Sequence, residues 1–250
     1  MSTGVSPALS YAPEGAITTK SSIAERVALM RGCTLFAGMS EAECAEVASH
    51  SRSRRFARDE ILFMQGEPVR QMVLLESGSV KHTQTGTSGN EVILRVGGSG
   101  DSVCIPDKSG CQQHSCTARA MMECRSLVWE QSKHEALLAQ HPQIGRNINQ
   151  ILSKRLDELQ ERFREVATEK VALRLALALL RLVKQVGKSV QGGVQVCFSR
   201  EELAQMTGTT LFTVSRQLSR WAEMGLIEPR REAVVVRDAE RLVQLCSAEA

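Results

Sequence analysis

The chain has 250 residues, 42% of them hydrophobic and 24% charged, a length that fits two domains and a balance that fits a folded chain with a real core. Its eight cysteines are too few for a secreted scaffold held together by disulfides. A net charge of +3 is too small to establish a nucleic-acid partner by itself.

Met1 to Ser22 has neither a basic start nor an unbroken apolar run, so no secretory leader is expected and the segment reads as a disordered tail. The longest apolar tract, Val171 to Val183, is interrupted by Arg174 and Arg181 and is too short to span a bilayer. A cytoplasmic protein without membrane contact is expected, with thiols reduced at rest. Beyond the tail, Ala28, Leu29, Leu35 and Phe36 anchor a short helical segment. Ser40-Glu41-Ala42-Glu43 fits a capping box for a second helix, with Cys44 and Val47 facing inward.

From Arg54 to about Glu130 the pattern becomes that of strands. Glu60 to Met64 and Met72 to Leu75 are short apolar runs separated by Gln65-Gly66-Glu67-Pro68. Thr85 to Asn90 reads as a hairpin loop leading into Val92-Ile93-Leu94-Arg95-Val96. Many short strands with closely spaced turn residues predict an antiparallel barrel or roll.

After Gln140 the period is helical. Pro142 suits a first helical position, and Ile144, Ile148, Leu152, Leu156, Leu159, Phe163 and Val166 recur at steps of three and four. This stripe is a seam, and the residues Ile144, Ile148, Leu152, Leu156, Leu159 and Phe163 are the expected dimer interface. Thr168 to Val186 predicts a further, more buried helix, ended by Gly187.

Val194 to Val236 carries the most chemistry. A strand at Val194–Phe198 runs into Ser199-Arg200-Glu201-Glu202, a second capping box. Gly208 supplies a tight turn, and Thr210 caps a helix with Val214, Leu218 and Trp221 inward. Leu226 and Ile227 then open a hairpin through Pro229-Arg230-Arg231-Glu232 to Ala233–Val236. Helix, turn, helix and basic-tipped hairpin is the pattern of a winged helix-turn-helix. The first two turns of such a second helix reach base edges in the major groove of double-stranded DNA. The expected DNA contacts are therefore Ser199, Arg200, Thr210, Leu211, Phe212, Thr213, Ser215, Arg216, Arg230 and Arg231. Arg216 is placed to read guanine, and the wing arginines to hold phosphate.

Ser199 to Val236 closely resembles the DNA-binding module of the Crp/Fnr family of bacterial transcription regulators. The order of β-rich module, long helix and winged helix resembles that family from about Ala28 to Arg241. Gly66-Glu67, Leu75 to Val80 and Gly100-Asp101 look like its β-roll turns and ligand-cassette entry. The resemblance implies an α+β architecture: a cyclic-nucleotide-binding-like β-roll, a dimerisation helix and a C-terminal winged helix-turn-helix. The division is a tail at 1–22, a sensor domain at 23–140, a dimer helix at 141–167 and a DNA-binding domain at 168–250. The resemblance further implies a homodimer on an inverted-repeat operator that contacts RNA polymerase. One departure concerns Leu211-Phe212-Thr213-Val214-Ser215-Arg216, where the family often has a polar residue and then Glu ahead of Thr-Val-x-Arg. Phe cannot accept a hydrogen bond from cytosine as Glu does, so a different operator is expected.

The second departure concerns the signal. The Glu and the Arg-Ser pair of the cyclic-nucleotide members are replaced here by Cys104-Ile105 and His114-Ser115, so cyclic AMP is not expected. In their place stand Cys104, Cys111, Cys116 and Cys124, spaced C-x6-C-x4-C-x7-C with His114 between them. These four are the candidate sensing or metal residues for redox, nitric oxide or oxygen. An iron–sulfur cluster, zinc, a switchable disulfide and a structural role all remain open. A change at this loop is expected to shift packing against the dimer helix and reorient the recognition helices. An enzyme is not expected, because no nucleophile–base arrangement such as Cys-x-x-Cys is present. The alternative, a thiol-redox or metal-binding β-roll protein without a gene-regulatory role, has no use for the capped recognition helix.

Overall fold

The computed structural model describes residues 21–105 and 113–248. The expected tail thus lies outside the described residues except for Ser21 and Ser22. Ser22 caps helix α1 (Ile23–Arg31) in a capping box with Glu25. Arg26, Val27 and Met30 are the buried residues of α1, whereas Ala28 faces solvent. A short 3-10 turn (Thr34–Phe36) and α2 (Glu41–Ser49) follow, and Ser40 and Glu43 form the predicted capping box.

The β-roll is two four-stranded antiparallel sheets. One has the order β1 (Arg52–Phe56), β8 (Cys124–Glu130), β3 (Gln71–Ser77), β6 (Ser102–Cys104). The other has the order β2 (Ile61–Phe63), β7 (Thr117–Ala120), β4 (Val80–Thr85), β5 (Glu91–Gly97). Phe56, Phe63, Val73, Leu75, Val80, Val103 and Val128 fill the space between them. A second core gathers α1 and α2 around Trp129, whose Nε1–H donates to the Val47 carbonyl at 2.9 Å. Helix α3 (Gln131–Gln140) leads from the roll.

Helix α4 (Pro142–Thr168) starts with Pro142 in its first turn, as predicted. Its stripe divides in two, which corrects the expected seam. Ile144 and Ile148 are buried in the chain's own second core, where Asn147 Nδ2 also donates to the Leu35 and Ala37 carbonyls at 2.9 and 3.0 Å. They are therefore covered by that core, with the 3-10 turn packed against α4, and cannot form a dimer face. From Leu152 onward the apolar side is exposed: Leu156 by 55% and Phe163 by 75%, with Leu152, Leu159 and Val166 close to half. The opposite side, turned toward the rest of the chain, carries Arg155, Glu158, Arg162 and a buried Glu165. Arg162 donates to the Leu94 carbonyl of β5, and Arg181 clasps Glu165 with two bonds, at 2.6 and 2.9 Å. This half of the helix is amphipathic the wrong way round for an isolated chain.

The C-terminal domain packs α5 (Val171–Val186), α6 (Arg200–Thr207), α7 (Leu211–Glu223) and α8 (Ala239–Ala248) on a small sheet. Its strand order is β11 (Ile227–Arg230), β12 (Ala233–Val236), β10 (Gly193–Val196), β9 (Lys188–Val190). Strand β9 and helix α8 have no counterpart in the sequence reading. Pro229 lies inside β11, not in the turn; β11 is an edge strand, where a missing N–H breaks no ladder. Gly208 takes φ +60 to turn the chain between α6 and α7, a conformation that costs glycine nothing. Ile93 and Val96 of β5 belong to the same core as Leu175, Leu203, Val214 and Trp221, so the roll and the C-terminal domain share packed surface. Among the described residues no helix is long and apolar enough to cross a membrane.

Candidate nucleic-acid interface and part-buried arginine pair

Helix α7 buries Val214, Leu218 and Trp221 in the C-terminal core, packed on α6 and β11, and turns its other side outward. On that outer side Leu211 and Phe212 are exposed, Thr213 and Ser215 half-buried, and Arg216 and Arg220 exposed. The Arg216 guanidinium lies 5.9 Å from the centre of the Phe212 ring, one helical turn away. Thr210 Oγ1 caps α7 by accepting the Thr213 N–H at 3.2 Å and shares a further bond with Thr213 Oγ1 at 3.0 Å. One bond between two hydroxyls uses one proton, so the pair keeps a second for an outside acceptor.

Ser199 differs from expectation. Its Oγ accepts the Glu202 N–H at 3.1 Å and donates to Glu202 Oε2 at 3.1 Å. Its single proton is thus committed to the cap, which corrects its expected role as a DNA contact through that hydroxyl. Arg200, next in the chain, is exposed at the start of α6. At the wing, Arg230 is held by Glu228 at 2.9 Å and Gln195 at 3.2 Å, whereas Arg231 is exposed. Glu232, beside it, meets Arg58 of the roll at 2.9 Å.

The second site lies where β5, β6 and α4 meet. Arg95 Nη2 donates to the Ser102 carbonyl at 3.0 Å, and Arg155 Nη2 reaches the same oxygen at 2.6 Å and Ser102 Oγ at 2.9 Å. Two guanidinium groups therefore converge on one carbonyl, and among the described residues neither forms an ion pair with a carboxylate. Burial, and then the neighbouring Arg155 charge, lower the pKa of Arg95 to about 10. His82 is 2% exposed, and burial followed by the Arg95 charge holds it well below the usual histidine range. Arg95 Nη2 is 2.9 Å from His82 Nε2. The same Nε2 is 3.1 Å from the Val103 carbonyl, so this nitrogen faces both a donor and an acceptor, while among the described residues Nδ1 has no partner.

The cysteines separate. Cys104 Sγ is 3.8 Å from His114 Nδ1, and the His114 ring stacks on Phe63 at 3.7 Å. Burial pushes the Cys104 thiol up to about 12 and raises that of Cys116. Cys111 lies outside the described residues. Cys124 donates its thiol proton to the Ser79 and Met122 carbonyls and sits under Gly78, where a Cβ would come within 2.6 Å of its sulfur. That corrects its grouping with the sensor thiols: it is packing beneath the β3–β4 turn. Among the described residues no three His, Cys, Asp or Glu side chains are placed to share a metal ion. The sequence reading missed Arg95, Arg155 and Ser102. A signal existed for Arg95, the one charge inside Val92-Ile93-Leu94-Arg95-Val96.

Comparison with known proteins places both modules. Residues 53–141 match the profile of the cyclic nucleotide-binding domain, and residues 173–245 that of the Crp-like helix-turn-helix domain. The chain is 28% identical over 220 residues to the cyclic AMP receptor protein of Thermus thermophilus, covering 86% of this chain and 98% of the relative. It is 24% identical over 212 residues to the CRP-like cAMP-activated global transcriptional regulator of Mycobacterium tuberculosis, covering 84% and 95%. Among solved structures, a CRP-family transcriptional regulator of Thermus thermophilus superposes with a TM-score of 0.65 at 27% identity, over 78% of this chain and 96% of that one. FixK2 from Bradyrhizobium japonicum shares the fold, with a TM-score of 0.68 at 22% identity over 78% and 96%.

Proposed function

The chain belongs to the Crp/Fnr family of bacterial transcription regulators, and on that premise we propose that it works as a homodimer that binds an inverted-repeat operator, contacts RNA polymerase and takes its signal in the β-roll. The observation that carries the dimer is the reversed α4: Leu152, Leu156, Leu159, Phe163 and Val166 face water while Arg155, Glu158, Arg162 and Glu165 face the chain. A continuous apolar stripe in water is unfavourable, and a second copy of the same helix buries it at a left-handed coiled-coil seam. Two copies related by a twofold axis present two recognition helices to two half-sites. Selecting operators from a random DNA pool, with sedimentation of the free protein, tests this reading. A twofold-symmetric consensus whose affinity falls steeply with salt supports it. A monomer without sequence preference overturns it.

For the signal, the geometry best supports an anion held between Arg95 and Arg155. Two like charges largely removed from water are costly, and the Asp101 and Glu158 carboxylates offset that cost only without a direct ion pair among the described residues. An anionic ligand adds to that offset. Their shared grip on Ser102 also ties the ligand to α4 and so to the dimer seam. Cyclic AMP stays outside the proposal because Cys104-Ile105 stands where the cyclic-nucleotide members carry the ribose-binding Glu. Titration calorimetry with phosphate, acetate and cyclic AMP, on the wild type and Arg95→Leu, tests it. Binding of phosphate that the variant loses supports the anion. No binding of any anion, or equal binding by the variant, overturns it.

The second reading is a redox, nitric oxide, oxygen or metal signal at Cys104, Cys116 and Cys111. Its support is the Cys104–His114 approach and the nearby Cys116. Against it, buried thiols with raised pKa are poor nucleophiles at neutral pH. Anaerobic purification with iron, zinc and sulfide analysis separates the two: bound metal favours the cysteines, and a colourless protein that binds phosphate favours the anion.

A further inference from the structure

Leu211 and Phe212 are large apolar residues that the fold leaves in water, Phe212 at 73% exposed. Neither belongs to a core cluster, whereas Val214, Leu218 and Trp221 on the same helix are buried. They occupy the first two positions of α7 after the Thr210 cap, and Arg216 lies one turn further along, its guanidinium beside the Phe212 ring. Arg216 and Arg220 follow as exposed cations about one and two turns along the same helix, and Arg200 lines a surface hollow together with Leu211. An apolar surface with cations beside it at the start of a helix fits DNA.

The major groove presents hydrogen-bonding groups on every base pair but only one apolar group, the C5-methyl of thymine. We propose that Phe212 is a specificity-determining residue that reads a thymine methyl about two base steps from the guanine read by Arg216. This rests on the DNA-binding reading above. The spacing agrees: four residues rise about 6 Å along a helix, the length of roughly two base steps, so both contacts fall within one half-site. The ring also positions Arg216. An aromatic face beside a guanidinium restricts its rotamers and shields one side from water, leaving the planar donor fork directed outward. Leu211 widens the apolar surface at the same end of the helix.

The test uses the full-length protein and the operator selected from a random pool. Each thymine within about two base steps of the conserved guanine is replaced by uracil, which removes the methyl and leaves every hydrogen-bonding group. Wild type should lose about fourfold in affinity at that position, the worth of one buried methyl group. Phe212→Ala should bind the thymine and uracil operators equally, and Phe212→Leu should regain part of the preference. Because Phe212 is exposed, these variants should keep wild-type melting temperatures, which checks that the fold is intact. Wild type that binds the thymine and uracil operators equally overturns the proposal. A uracil penalty that survives in Phe212→Ala overturns it too, because some other residue then reads the methyl. Failure to select any consensus strikes the DNA-binding reading itself, so the two failures are distinguishable.

Discussion

Lys81 Nζ lies 2.7 Å from Glu202 Oε1, joining strand β4 of the sensor roll to the N-terminal turn of α6. The two side chains are only 14% and 20% exposed. Glu202 is also the acceptor in the capping box of α6, taking the Ser199 N–H at 2.9 Å. One carboxylate therefore both starts a helix of the DNA-binding motif and fastens it to the roll. Beside it, Arg58 and Glu232 tie the β1–β2 turn to the wing, and Ile93 and Val96 place β5 in the core around α5, α6 and α7. The reader is docked on the sensor in this structure.

Lys81→Met should loosen that docking. The pair lies between exposed and fully buried ion pairs, so a loss of about 1–2 kcal/mol is expected. Denaturant unfolding should show it, and limited proteolysis should cut faster in the 187–199 stretch. Unchanged stability and proteolysis would mean that the apolar contacts of β5 alone hold the two domains.

The same pair sets an acid response. Burial raises the Glu202 pKa, and the hydrogen bonds from Lys81 and the Ser199 N–H, with the Lys81 charge, outweigh it, so the net shift is below the ordinary value of 4.5. A lowered folded pKa means stabilisation that is complete above the ordinary value and is lost as pH falls through the lower folded one. Stability should thus drop below about pH 4.5, and less steeply in Lys81→Met. Parallel pH profiles for the two proteins would show that Lys81 is not the cause.

Arg216→Ala should cost about 1–3 kcal/mol of operator binding and relax one base position. Arg231→Ala should weaken binding to all sequences alike and lower the salt slope by about one. Mobility shifts on specific and scrambled duplexes separate the two patterns, and an Arg216 variant with wild-type base preference would refute its assignment.

Phe163→Asp should shift the protein toward monomer, since a charge opposite its own copy at a twofold seam is repelled and desolvated. Ile148→Asp should instead destabilise the fold, because Ile148 belongs to the chain's own core. Sedimentation and thermal melts distinguish them: a dimeric Phe163→Asp protein with wild-type operator affinity would place the interface elsewhere.

Cys104→Ser combined with Cys116→Ser tests the thiol reading directly. With an anion as the signal, the double variant should retain phosphate binding and show the same operator affinity under oxidising and reducing buffers as the wild type. A wild-type response to oxidant that the double variant loses would favour the cysteines.

The sequence by itself determined the reader. Ser199, Thr210, Gly208 and the Val214, Leu218, Trp221 stripe are local signals, each acting within a turn or two of its own position, and the helices start and turn where those residues stand. The capping box at Ser40 and the proline start of α4 were legible for the same reason. Strand β9 was not legible, because Lys188-Ser189-Val190 lacks a strand pattern and pairs only once β10 is in place. Only the tertiary structure decided the rest. Whether Ile148 and Phe163 share a fate depends on what packs against each, and their common spacing cannot say: the second core covers Ile148 and stops short of Phe163. Arg95 and Arg155 stand sixty residues apart in the chain and meet only because β6 brings the Ser102 carbonyl between β5 and α4. Periodicity records which face of an element is apolar, whereas convergence of charges on one atom is a property of how the elements close on one another.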